Sequence, residues 1–163
     1  MPSLYQISVP VYIKSLKTLS NLLEKGSSHA AVSNEQLLNS RLIKDMRDFT
    51  FQIQQASNHA KSVAERLGKV APIELKDNEK TIEELQQRIK RTIEILETVK
   101  ESDFAGEEDE ISFKIMNTDF KYTGKTYILE WATPNFYFHF VTAFALLRKE
   151  GVNIGKRDFL SWD

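Results

Sequence analysis

A stripe of apolar residues between Leu42 and Leu67 constrains the fold of this chain more than any other feature of its sequence. Its members recur at alternating steps of four and three residues: Leu42, Met46, Phe49, Ile53, Ala56, Ala60, Val63 and Leu67. This spacing places them on one face of an α-helix, and its length is typical of helices that pack in antiparallel bundles. Gly68 follows the stripe directly, and glycine is the residue that most often ends a helix. The stripe therefore predicts a long bundle helix over residues 42–67.

Two further segments have helical periodicity and are framed by capping residues. Ser8 can cap a first helix with Pro10 just inside it, and this helix runs to about Lys25. Thr81 and Glu84 form a capping box at the start of a third helix. The polar face of this third helix carries residues that we expect to be solvated: Glu83, Glu84, Arg88, Lys90 and Arg91.

The last predicted helix lies between Pro134 and Gly151 and is apolar on nearly every side. Pro134 suits the first helical position, where an N–H would have no intrahelical acceptor, and Gly151 suits the left-handed cap after the last turn. A helix of this composition belongs in the middle of a bundle. Its first three turns contain one residue that titrates near neutral pH, His139.

The connections between these helices contain shorter predicted elements. Ser33 and Gln36 form a second capping box, which predicts a short helical turn. Residues 111–115 and 126–131 alternate apolar and polar side chains around turn residues 117–124, so we expect a small hairpin inserted before the last helix. The tail has no helical period and should fold back over the bundle, held by its apolar residues: Ile154, Phe159, Leu160 and Trp162.

Composition excludes several classes of protein. A chain of 163 residues fits one domain, residues 1–163. The net charge of −1, with Lys and Arg spread along the chain, argues against nucleic-acid binding, and the lack of cysteine excludes thiolate chemistry. The sequence has neither a secretory signal nor an apolar run of roughly 18 residues, so we expect a soluble cytoplasmic protein that does not bind a membrane.

A polar stripe runs beside the apolar stripe and includes His59. Together with His139 it predicts a ligand pocket inside the bundle, because the flank of an apolar seam is where a bundle carries polar groups. The side chains expected around the two histidines are Gln52, Gln55, Asn135, Tyr137 and Thr142. In this interpretation His59 and His139 are catalytic acids or bases, since imidazole titrates near neutral pH. The alternative, in which each is a hydrogen-bonded core histidine, remains open.

A series of residue pairs supports a resemblance to a known family. In the last third of the chain these are Phe138-His139, Thr142-Ala143, Leu147-Arg148, Gly151-Val152, Gly155-Lys156 and Asp158-Phe159-Leu160. Earlier ones are Val9-Pro10, Gln52-Ile53-Gln54, His59-Ala60-Lys61 and Ala64-Glu65-Arg66-Leu67. Over most of its length the chain resembles a domain-of-unknown-function family within the DinB-like superfamily. The resemblance implies an all-α, up-down four-helix bundle, often a homodimer, with no assigned reaction.

The same resemblance raises the question of a metal. Many DinB-like proteins bind a divalent ion on one histidine of the second helix and a His-x-x-x-His of the last long helix. His59 matches the first ligand and His139 one of the pair, whereas Ala143 stands at the remaining position. The carried-over ligands for zinc or nickel are therefore His59 and His139. With a carboxylate as third ligand, the pair would instead form a two-His, one-carboxylate site of the kind that holds iron. Spacing selects none of the candidates for a third ligand, which are a residue of the first helix or one of Asp45, Asp48, Gln55 and Glu130.

Two functional hypotheses result from the sequence. The first is a bundle protein, with or without enzymatic activity, that binds a small molecule in a pocket lined by His59 and His139. The second is a non-enzymatic homodimer without metal, whose exposed aromatic helix face is an interaction surface. A roomy cavity that contains both histidines favours the first hypothesis, and a tightly packed interior favours the second.

Overall fold

The computed structural model describes residues 2–29 and 31–162. These residues are mostly helical, with one small antiparallel hairpin, as predicted. In chain order the elements are α1 (Val9–Ser27), α2 (Asn34–Leu38), α3 (Phe49–Arg66), α4 (Ile82–Glu97), a 3-10 turn (Glu101–Asp103), β1 (Glu110–Ile115), β2 (Thr118–Thr123), α5 (Gly124–Thr126), a π-helical segment (Tyr127–Ala132), α6 (Thr133–Lys149) and α7 (Lys156–Leu160).

The central element is α3, all of whose residues are buried or half-buried. It packs against α6 on one side and α4 on the other, and α1 packs against α4, α6 and α7. The predicted apolar stripe faces this interior, where Phe49, Ile53, Ala56, Ala60 and Val63 have no exposed surface. Burial of such side chains, at about 25 cal/mol per Å², is the main force that holds the helices together.

The apolar helix α6 is not in the middle of the fold, contrary to its composition. Phe136 and Phe140 are buried, but Phe138 is 56% exposed and Val141 is 47% exposed. One face of α6 therefore presents apolar side chains to solvent. Within the two described ranges, no helix has both the length and the apolar character that a membrane crossing requires.

The start of α3 differs from the predicted start. The carboxylate of Asp48 accepts the N–H of Phe51 at 3.0 Å, which makes Asp48 the cap of the helix. The residues before it form a loop in which Leu42 is 50% exposed. The prediction that Leu42 and Met46 belong to the helix is therefore wrong, because a side-chain cap satisfies the first N–H groups and ends the helix at that point.

Other predicted helix ends are confirmed. Thr81 and Glu84 form their capping box at the start of α4, and Ser33 and Gln36 form theirs at the start of α2. Gly151 has a φ of 83°, the left-handed conformation expected after α6. Helix α1 also begins as predicted, although the Ser8 side chain makes no cap bond with the helix N–H groups.

The hairpin is confirmed, but its second strand is not where the sequence placed it. The strand β2 occupies residues predicted as a turn, and residues 126–131, predicted as a strand, are helical. The pairing runs from Glu110 opposite Thr123 to Ile115 opposite Thr118. This register stacks Phe113 on Phe120, with ring centroids 5.3 Å apart, so β2 buries its own alternating aromatic residues.

The helical backbone runs without a loop from α5 through the π-helical segment into α6. Pro134 lies in the first turn of α6, as predicted, but α6 continues an existing helix rather than starting after a loop. A proline lacks the N–H of the helical hydrogen bond, and its ring crowds the carbonyl of the previous turn. The wider π turn that precedes Pro134 accommodates both defects.

The tail folds back over the helices, as predicted, but it also forms the short helix α7. Ile154 is 4% exposed, and the Phe159 ring stacks on Phe140 with centroids 4.6 Å apart. Lys25 forms an ion pair with Asp158 across the contact between α1 and α7. Trp162, predicted as an anchor, is 60% exposed.

Arg88 was predicted on the solvated face of α4, and that prediction is wrong. Only 4% of the residue is exposed. Its guanidinium donates to Asp77 at 2.6 Å, Glu79 at 2.7 Å, the side-chain oxygen of Asn58 at 2.7 Å and the Lys76 carbonyl at 3.0 Å. The network fixes the connection between α3 and α4. The periodicity of a single helix cannot reveal this network, because the acceptors of Arg88 come from other segments of the chain.

We expect Arg88→Met to lower the free energy of unfolding by about 3 kcal/mol, because Asp77 and Glu79 would lose their buried cation. The control is Arg91→Met, which removes an exposed ion pair with Glu94 and should cost less than about 0.5 kcal/mol. Urea unfolding of both variants measures the difference. Equal losses in the two variants would show that the buried network does not stabilise the fold.

Candidate functional site

The two predicted site histidines are in contact across the seam between α3 and α6. His59 comes from α3 and His139 from α6, and both are half-buried. Their rings are nearly parallel, at 13°, with centroids 5.6 Å apart. Gln52 bonds to His139 while Arg66 bonds to Tyr127, so the two helices run in opposite directions. We refer to His59 and His139 as the histidine pair.

Gln52 fixes the tautomer of His139. Its side-chain amide nitrogen donates to the Arg47 carbonyl at 3.0 Å, so its oxygen points toward the imidazole. His139 Nδ1 lies 2.8 Å from this oxygen and must donate, since an amide oxygen only accepts. The proton is therefore on Nδ1, and Nε2 of His139 carries a lone pair that no residue within 2–29 and 31–162 uses.

Both imidazoles are neutral at neutral pH. Burial lowers the pKa of His139 to about 4. Burial also lowers the pKa of His59 to about 4, with smaller contributions from the charges of His139 and Arg66. The sequence suggested groups that titrate near neutrality, whereas this environment disfavours their protonation. At neutral pH the histidine pair consists of hydrogen-bonding groups and weak bases.

Of the other five predicted pocket residues, only Gln52 bonds to the histidine pair. Gln55 donates instead to Asp77 at 3.5 Å. Tyr137 shares a hydrogen bond of 3.2 Å with the Ser15 hydroxyl on α1. The amide of Asn135 donates to the Trp131 carbonyl at 2.7 Å, and the hydroxyl of Thr142 donates to the Phe138 carbonyl at 2.6 Å. Their side chains therefore have partners elsewhere.

Aromatic rings that the sequence analysis did not place at the site flank His139. Phe51 and Phe138 meet the imidazole edge-on, with centroids 5.9 and 5.1 Å from it. The Arg47 guanidinium carbon lies 4.5 Å from the centroid of the Phe51 ring. Five grooves of about 440 to 720 Å³ open on the described surface, and neither histidine lines any of these five, although Arg47 and Phe51 line one of them. The pair lies at the half-buried edge of the seam.

The residues around the histidine pair do not complete a metal site. In the part of the chain that the structure describes, no three His, Asp or Glu side chains are close enough to hold one ion. Among the candidates for a third ligand, Asp48 caps α3, while Asp45 and Glu130 are exposed. Ala143 is fully buried and has no donor atom. The donor set is thus two imidazoles, where a stable catalytic site normally has three protein ligands.

We expect the histidine pair to make stability depend on pH. The unfolded chain, with histidine pKa values near 6.5, binds protons more readily than the folded chain, with values near 4. The free energy of unfolding should therefore decrease as the pH falls from about 6.5 towards about 4. Urea unfolding near pH 7 and near pH 5 should show a loss about 2 kcal/mol larger in wild type than in His59→Gln/His139→Gln. His29→Gln is the control, and equal losses in all three proteins would contradict the buried neutral pair.

The sequence and the fold have known relatives. Residues 4–160 match the family described as Domain of unknown function (DUF1993). The chain is similar to a DinB family member protein from Shewanella denitrificans, with 35% identity and a TM-score of 0.85, over 96% of this chain and 91% of that one. No curated protein is matched. The chain therefore belongs to the DUF1993 family, an uncharacterised family with a DinB-like fold.

Proposed function

We propose that this protein binds a small polar molecule at the histidine pair, with the neutral imidazoles as its hydrogen-bonding groups. The observation that supports this most directly is the bond from His139 Nδ1 to Gln52 at 2.8 Å. Because this bond orients the ring, Nε2 of His139 is an acceptor prepared in advance. Groups held in their binding geometry before the ligand arrives reduce the entropic cost of binding.

The hydrogen bonding of His59 also supports a binding role. Among residues 2–29 and 31–162, His59 has no hydrogen-bond partner, and His139 uses only one of its two ring nitrogens. These ring nitrogens are not among the buried unpaired atoms of the described chain, so a ligand can reach them from solvent. Phe51 and Phe138, beside His139, offer apolar contact for the rest of a ligand.

A low pKa favours binding over proton transfer as the role of the pair. A general base works best when its pKa lies near the operating pH. With pKa values near 4, His59 and His139 would accept protons from weak acids poorly. The ligand therefore uses Nε2 of His139 as an oriented acceptor and His59 as a second neutral hydrogen-bonding group, and an enzymatic step would need a further group.

In a narrower form of this proposal, the histidine pair binds a zinc, nickel or iron ion. Neutral imidazoles are the form in which histidine binds metals. The Gln52 oxygen corresponds to the acceptor that commonly orients a metal-binding histidine. The missing third protein ligand argues for weak binding, with water at the remaining positions.

We also infer that α1, α3, α4 and α6 follow the up-down course of a DinB-like four-helix bundle. The support is the packing of α3 between α4 and α6, together with that of α1 against α4 and α6. In this arrangement the histidine pair lies on one of the four seams between neighbouring helices.

The proposal is tested by nuclear magnetic resonance of protein labelled with nitrogen-15 in histidine. A set of small aromatic amides, alcohols and carboxylates should include one that shifts the His59 and His139 signals saturably. His59→Ala and His139→Ala should each weaken binding about tenfold, the effect of losing one good hydrogen bond. His29→Ala is the matched control and should bind normally.

Elemental analysis of protein purified without an affinity tag tests the metal in the same samples. Near-stoichiometric zinc, nickel or iron that is lost in His59→Ala/His139→Ala would support the metal form. If neither a metal nor a saturable shift is found, the proposed function is wrong.

A second candidate function is supported by the exposed face of α6. Phe138 and Val141 lie one helical turn apart and are 56% and 47% exposed. We propose as this alternative a non-enzymatic homodimer that buries these two side chains. Sedimentation equilibrium of wild type and Val141→Lys tests it. A dimer that Val141→Lys converts to monomer supports the alternative, and a wild-type monomer contradicts it.

A further inference from the structure

Arg66 is a half-buried cation in the last turn of α3 that has no carboxylate partner in the described chain. The ion pairs of residues 2–29 and 31–162 involve other Lys and Arg residues. The neighbouring Glu65 is bonded to Lys61 at 2.8 Å and to the Ile73 N–H at 2.8 Å. The dipole of α3 compensates the charge of Arg66 only in part, by about 0.3–1 kcal/mol.

Two aromatic residues hold the Arg66 side chain in one orientation. Its guanidinium carbon lies 3.7 Å from the centroid of the Phe113 ring. One terminal nitrogen, Nη1, donates to the Tyr127 hydroxyl at 2.9 Å, and Tyr127 is fully buried. The Nε and Nη2 atoms have no acceptor among the described residues and are not buried. The protein thus fixes a guanidinium and leaves part of its donor fork free.

The position of Arg66 relates it to the histidine pair. It follows His59 by seven residues, which is two turns along the same face of α3, about 10 Å along the helix axis. Its charge also contributes to the low pKa of His59, which requires the two groups to be close. Arg66 and His59 therefore lie on one flank of α3, with the histidine pair against α6 and Arg66 against β1 and the π-helical segment that continues into α6.

A second unpaired donor lies in the same region. Trp131, in the π-helical segment, has a buried Nε1–H without a partner in the described chain. Its ring centroid is 5.5 Å from that of Phe113, the ring against which Arg66 packs. A buried donor without an acceptor normally indicates a missing water, ion or ligand. The Nε1 atom of Trp131 is closed to solvent, so the anion argument rests on Arg66, a cation whose Nε and Nη2 donors are accessible.

We propose that Arg66 binds the anionic group of the ligand whose polar part contacts His59 and His139, and that this ligand is a small organic anion. The inference rests on the proposed function of the histidine pair and adds the chemical class of its ligand. A carboxylate or a phosphate suits the site, because a guanidinium offers paired donors in a fork that matches two oxygens.

The experiment compares benzoate with benzamide, which have similar size and shape but differ in charge. Benzoate should bind at least about tenfold more tightly than benzamide, the value of one charge-assisted hydrogen bond. 4-Hydroxybenzoate, whose hydroxyl can in addition donate to Nε2 of His139, should shift both imidazole signals saturably. Arg66→Met should remove this preference, while Arg91→Met, which changes an exposed arginine, should retain it. Phenyl phosphate and inorganic phosphate, tested in the same way, determine which oxyanion is preferred.

The outcomes separate the inference from the proposed function. Neutral molecules that bind through the histidines as well as benzoate does would overturn the anion inference and retain the histidine site. Binding of 4-hydroxybenzoate that calorimetry shows to depend on Arg66, but that leaves both imidazole signals unchanged, would overturn a shared site. The absence of any saturable shift would overturn both.

A folding defect in Arg66→Met would not prevent the test. That substitution leaves the buried Tyr127 hydroxyl without its partner, so its melting temperature is measured first. Arg66→Met/Tyr127→Phe removes both members of the hydrogen bond and should restore stability, since replacing both partners is nearly neutral. This double variant should also bind benzoate no better than benzamide.

Discussion

The packing of α3 against α6 is the interaction on which the rest of this structure depends. Ala56 and Ala60 on α3, together with Ala143 on α6, are fully buried and small, which lets the helices approach closely. This contact brings His59 to His139, 80 residues away in the sequence. The π-helical segment that continues into α6 brings Tyr127 to Arg66, so a change in the packing of α3 would displace the histidine pair and Arg66 together.

Arg66 on α3 is half-buried and Arg88 on α4 is buried. The hydrogen-bond partners of the two arginines differ, which indicates different roles. Arg88 donates to two carboxylates and three further acceptors, as a structural cation in a protein interior requires, although its Nε has no partner among the described residues. Arg66 has one neutral hydroxyl and an aromatic face. If Arg66 served only to stabilise the fold, an acidic partner would be expected beside it. Its free donors are better explained by an acceptor that comes from outside the chain.

Sequence periodicity predicted the long helices, but not where each one meets its neighbours. The same alternation fits residues 118–123 and 126–131, and only the pairing of Phe113 with Phe120 selects the first as β2. Arg88 looked solvated because its acceptors are distant in sequence. His59 and His139 were identified from spacing and resemblance. The tautomer of His139 depends on Gln52 and the Arg47 carbonyl, and that geometry exists only after α3 is capped at Asp48.

Ala143 accounts for the chemistry that we propose for this site. A histidine at this position would complete the three-ligand pattern of many DinB-like proteins, but the alanine is fully buried in the seam and contributes only packing. The two remaining imidazoles are neutral, so they contribute no net charge. In our proposal the positive charge that a metal would provide comes instead from Arg66, on the same flank of α3 as His59. A site with an oriented neutral imidazole, that of His139, at one end and a held guanidinium at the other would be complementary to a small molecule that carries a hydrogen-bonding group and an anion.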